Sequence, residues 1–104
     1  MAQFDVYRNP SEATLKDIPF VVVVQSDLLD TLATRMTIPL CTLEFAAQVP
    51  EKLCPRVSVN DQKLRALAHY AGALPTRSLR QKVANLTADA SALVAALDVV
   101  ISGI

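Results

Sequence analysis

Apolar and polar residues alternate almost from the first residue. In Gln3 to Tyr7 (QFDVY), Phe4 and Val6 fall on one side and Gln3, Asp5 and Tyr7 on the other, the period of a half-buried strand. The following stretch, RNPSEATLKDIP, has no sustained period and carries Asn-Pro and Ile-Pro at its ends, so a loop or a poorly formed edge strand is expected. Phe20 to Val24 (FVVVV) is a continuous β-branched run, too short for a buried helix and suited to a central strand covered on both faces. Gln25, Ser26 and Asp27 end it with side chains that bond local backbone, and Leu28-Leu29 follow at the turn, before Asp30 and Thr31. Arg35 to Leu40 (RMTIPL) resumes as a strand, in which Pro39 implies a bulge or a position whose missing N–H the ladder does not need.

The second half is less uniform. Ala46 and Ala47 favour helix, but Pro50 and Pro55 confine any element in Thr42 to Lys52, leaving a loop with at most a short strand. Arg56 to Val59 alternates, Asn60-Asp61 supplies a turn, and Lys63 to Tyr70 returns with Leu64, Ala66, Ala68 and Tyr70 on one face, which predicts a hairpin. The Leu and Ala content of that second arm also suits a helix, and only sheet context would make it a strand. Gly72 and Pro75 break the pattern and a short connection is expected. The last element is helical: Thr87 stands where an N-cap belongs, Asp89 falls in the first turn, and Leu93, Leu97 and Val100/Ile101 recur at spacings of three and four. Val94 and Val99 widen its apolar surface beyond one stripe, so burial on two sides is expected, against the sheet and a second subunit.

At 104 residues the chain is expected to close one domain, residues 1–104. Apolar residues make up 52% and charged residues 19%, enough apolar surface to offset ordering entropy. Ten basic and ten acidic residues cancel, so no net field marks a nucleic-acid or membrane binder; Arg77, Arg80 and Lys82 form the nearest thing to a basic patch. No apolar run reaches the roughly twenty residues of a membrane span, and the start lacks the features of a targeting segment. Cys41 and Cys54 are read as reduced, packed thiols of a cytoplasmic protein.

Catalytic chemistry has few parts here. His69 is the only histidine and has no ligand cluster around it; two glycines cannot build a phosphate-cradling loop; Ser26 has no local base. Asp27 and Asp30 flank a turn, where aspartates commonly cap. No cofactor and no metal are expected. Function therefore points to a surface, and the candidates are Leu28-Leu29 and the apolar end of the chain, each of which is otherwise simply core.

The stretch VQSDLLDTLATRMTIPL, Val24 to Leu40, resembles the central segment of the CcdB toxin family. The other landmarks occur in the family's order: QFDVY, LCPRVSVND, VANLT and a final Gly103-Ile104. This resemblance implies a mainly β fold with a C-terminal helix, a bent antiparallel sheet related to SH3-like barrels with a small β wing, and a homodimer. It also implies that Lys63 to Tyr70 is a strand. The implied activity is non-enzymatic: lodging in the DNA gyrase A subunit and trapping the enzyme on cleaved DNA, under the control of a CcdA-like antitoxin. Carried over residue by residue, the gyrase contacts are Asp98, Ile101, Ser102, Gly103 and Ile104, with Leu28 and Leu29 as secondary members. Ser102 departs from the tryptophan typical of the family, Asp98 stands where an amide is usual, and Val23 replaces an acidic residue. The alternatives are a degenerate homologue that binds antitoxin without strong poisoning, and an endoribonuclease toxin of the same fold.

Overall fold

The structure, a computed structural model, describes residues 1–103. It is mainly β, an antiparallel sheet strongly curled into a half-barrel with one C-terminal helix. The strands are β1 (Asp5–Arg8), β2 (Phe20–Val23), β3 (Thr34–Thr42), β4 (Arg56–Val59), β5 (Gln62–Ala66), β6 (Gly72–Pro75) and β7 (Lys82–Asn85), followed by helix α1 (Ala90–Ser102). Their spatial order is β4-β5-β3-β2-β1-β7, with β6 paired to β3.

β2 lies inside the sheet, as its unbroken apolar run predicts. Val22 and the following Val24 join the large core that also takes Phe4, Val6, Ile38, Leu40, Leu64, Leu93 and Ala96. Val21 and Val23 point the other way, against Tyr7 and Leu79. A third cluster gathers Cys41, Ala46, Cys54 and Leu67, and both thiols are free and buried. Each fully buried aliphatic side chain contributes about 1.5–3 kcal/mol, so the sheet is held from both faces.

β3 is long because it changes partner along its length: Thr34–Thr37 pairs with β6 and Leu40–Thr42 with β5. Pro39 stands between the two sets. Its carbonyl accepts the Leu67 N–H at 2.9 Å, and its missing N–H is not needed there because the Leu67 carbonyl takes the Tyr70 N–H at 2.9 Å instead.

Several expectations need correction. The first strand starts later than the alternation suggests: Phe4 adopts φ +70°, and Asp5 and Tyr7 are buried along with Val6. β5 ends at Ala66, and Ala68–Tyr70 forms a 3-10 turn in which Ala68 is buried and Tyr70 is exposed. The Tyr70 N–H closes on the Leu67 carbonyl at 2.9 Å and the Ala71 N–H on the Ala68 carbonyl at 3.1 Å, which turns the backbone away from the ladder, so Tyr70 leaves the face shared by Leu64 and Ala66. Thr42 to Lys52 is a loop as expected, with turns after its first residue and no short strand of its own. The expected connection after Gly72 holds β6, whose Pro75 is its last residue, paired to Thr34, and is tolerated there because β6 is an edge strand. β7 was also not expected; its Val83 and Ala84 pack on the large core. Thr87 does not cap: Thr87–Asp89 is a 3-10 turn, and the Asn85 carboxamide oxygen accepts the Thr87 N–H at 2.8 Å.

Candidate functional site

The segment between β2 and β3 is built by side chains that satisfy its backbone. The Ser26 hydroxyl oxygen accepts the Leu28 N–H at 3.2 Å and starts a 3-10 turn over Asp27–Leu29. Gln25 reaches across the loop, its amide NH₂ donating to the carbonyls of Leu29 and Thr34 and its oxygen accepting the Met36 N–H. Arg35, buried beneath, donates to the carbonyls of Asp30, Leu32 and Thr34. With its polar groups engaged below, the turn directs its leucines outward: Leu28 is 92% exposed, Leu29 and Leu32 about half exposed. The alternative that this pair is core is excluded by those exposures.

The second candidate surface is the end of α1. Leu93 and Ala96 are buried against the sheet, whereas Val94, Asp98, Val100 and Ser102 are exposed and Ile101 is 82% exposed. The helix thus has one covered side, not two, within the isolated chain. Ser102 turns its hydroxyl back to the Asp98 carbonyl at 2.7 Å. Gly103 adopts φ +75° and its N–H closes on the Val99 carbonyl at 2.9 Å, a left-handed cap that stops the helix. Ile104, the remaining expected contact, lies outside the described residues.

Gln3 joins the two surfaces. Its N–H donates to the Asp27 carboxylate at 2.7 Å and its side-chain amide to the Val24 carbonyl at 3.1 Å. The same residue lines a shallow groove with Phe4, Val94, Ala95 and Asp98. Behind it lies a group that sequence reading missed. Asp5, only 2% exposed, accepts bonds from the Ala2 N–H at 2.8 Å and the Asn85 amide at 3.0 Å and pairs with Lys82 at 3.2 Å. Burial pushes its carboxyl up, but the bonds from Asn85 and Ala2 and the Lys82 ammonium outweigh burial and hold it below the usual carboxylate range. Asn85 also donates to the Gln3 carbonyl at 3.3 Å, so this buried carboxylate braces the residue that links the loop to the helix.

The cysteines offer little reactivity. The Cys54 sulfur sits 3.7 Å from His69 Nδ1, yet burial raises the Cys54 thiol and pushes Cys41 up to about 11. Among the described residues no three His, Cys, Asp or Glu side chains gather as a metal site. Also among them, no helix is long and apolar enough to cross a membrane.

A family model described as CcdB protein matches residues 3–103, nearly the whole chain. The chain belongs to the CcdB family. CcdB chains are toxins of toxin–antitoxin systems, and the curled sheet with its terminal helix is the CcdB fold. The match spans both the braced loop and the end of α1 as far as Gly103, so both candidate surfaces are parts of the CcdB unit.

Proposed function

We propose that this CcdB chain acts as a homodimer that binds the A subunit of DNA gyrase and holds that enzyme on cleaved DNA, and that a CcdA-like antitoxin neutralises it in the cytoplasm. The observation that carries this reading is the outward aim of the contact residues: a Leu28-Leu29 turn braced from beneath by Gln25 and Arg35, and Ile101 standing free on the last turn of α1. Apolar side chains held in the open by polar bonds below them lose little conformational freedom on docking. The site assigned is Leu28, Leu29, Asp98, Ile101, Ser102, Gly103 and Ile104, and it contains no catalytic group. Induced expression in sensitive cells is expected to arrest growth and generate gyrase-dependent DNA breaks, both relieved by removing Gly103 and Ile104. Equal toxicity with and without those two residues would sink the assignment.

One observation favours a second reading, in which the chain binds antitoxin but poisons gyrase weakly. Ser102, at the family's tryptophan position, bonds back to its own helix at Asp98 and offers no aromatic face to a partner. An indole over a guanidinium contributes about 0.5–2 kcal/mol. Ser102→Trp is accordingly expected to tighten binding to a gyrase A fragment roughly twofold to thirtyfold, measured by calorimetry against the parent. No change in affinity would mean that the indole position is not part of this chain's contact.

A further inference from the structure

An unassigned concavity lined by two guanidinium groups lies where β1 meets the turn before β7. The backbone joins there, since the Arg8 N–H donates to the Gln81 carbonyl at 3.0 Å. Arg8, Pro10, Ser78, Arg80 and Gln81 line a cleft of about 440 Å³. Neither Leu28, Leu29, Asp98 nor Ile101 belongs to it. The cations around it are not equivalent. Lys82 is committed to buried Asp5. Arg80 spends only its Nε–H, on the Arg77 carbonyl at 3.2 Å, and among the described residues neither Arg77 nor Arg80 forms an ion pair.

Arg8, one of the two guanidinium groups lining the cleft, already holds a carboxylate. Its two terminal nitrogens face the two oxygens of Glu12 at 3.2 and 3.4 Å, the fork-to-fork arrangement in which a guanidinium takes a carboxylate. Glu12 is largely in water and Arg8 partly so, at 76% and 41% exposure, so the internal carboxylate holds Arg8 weakly and can be exchanged. We infer that the Arg8–Arg80 cleft binds a glutamate or aspartate side chain of an acidic segment from a protein partner, with Glu12 as the internal group it displaces. A nucleic-acid backbone fits less well. It presents a charge about every 1.7 Å and needs a continuous cationic track, whereas here the cleft has two guanidinium groups, one of them already paired with Glu12, on a chain of zero formal charge.

The test needs no gyrase, so its failure is separable from failure of the poisoning assignment. A short fluorescein-labelled Glu-Ser peptide, its Gln-Ser counterpart and a labelled short DNA duplex are titrated with the whole protein at low salt and read by anisotropy. The Glu-Ser peptide is expected to bind and the Gln-Ser peptide not. Arg80→Gln, an exposed substitution whose fold is checked by an unchanged melting temperature, is expected to weaken peptide binding about fivefold or more. Glu12→Gln is expected to tighten it about twofold or more by removing the competitor. Glu51→Gln raises net charge equally but disturbs the Arg56 pair elsewhere, and is expected to leave the affinity unchanged. No binding of the Glu-Ser peptide, equal binding of the two peptides, equal gains from Glu12→Gln and Glu51→Gln, or tighter binding of the duplex each overturns the inference.

Discussion

Asp5 illustrates how one buried charge serves a surface it never reaches. It has the Ala2 N–H, the Asn85 amide and the Lys82 ammonium as partners, and removing its charge leaves these donors poorly answered. Asp5→Asn is therefore expected to cost about 1–3 kcal/mol at pH 7, measured by urea unfolding. The pH dependence has a definite sign. The folded-state carboxyl titrates below its ordinary value of 3.8, so its contribution is complete above that value and fades as pH falls through the folded pKa. The difference between parent and Asp5→Asn should shrink on going from pH 7 to pH 3, and a constant gap would contradict the depressed pKa. Nothing in the local sequence reveals this role, because Asp5 occupies a strand position that alternation assigns to solvent. Ser102 and Gly103 differ in this respect: glycine at a helix end is readable as a left-handed cap, and the structure has it at φ +75°.

Among the elements, the β2–β3 loop owes its shape to two long side chains. Arg35 supplies three backbone carbonyls with charge-assisted donors from a buried position. Arg35→Met keeps much of the volume and removes all three bonds, and is expected to destabilise the fold by about 2–4 kcal/mol. It should also speed amide exchange at Leu28 to Leu32 while that of Val22 and Ile38 changes only with global stability. Unchanged exchange in the loop would show that the leucines are held out by something else. The strands that local pattern identified, around Val22, Ile38 and Val57, all combine β-branched residues with turn residues at their ends. β6 and β7 were missed because four-residue edge strands carrying glycine, proline or lysine become strands only through the partner beside them. Lys63 to Tyr70 was extended too far for the converse reason: alternation continues in the letters after the ladder has ended at Ala66.

For the whole molecule, the exposed side of α1 is the open question that the proposed dimer answers. Val94 and Val100 are each close to half exposed, and a helix apolar on its outer side calls for a neighbour. Sedimentation of the parent is expected to report a dimer that dissociates on dilution. Val94→Asp should shift it toward monomer while far-ultraviolet circular dichroism stays unchanged; an undisturbed dimer would place the contact on another face. The amino-acid sequence by itself determined that the chain is mainly β with a final helix and that β2 is covered on both faces, because these follow from short-range period and residue type. Only the tertiary structure decided which of the apolar residues stay outside: Leu28 is free while Leu93, in an equally apolar setting, is fully buried. Burial depends on what packs across from a residue, here buried Arg35 under one loop and the curled sheet under one helix face, and such contacts join positions that no local pattern relates.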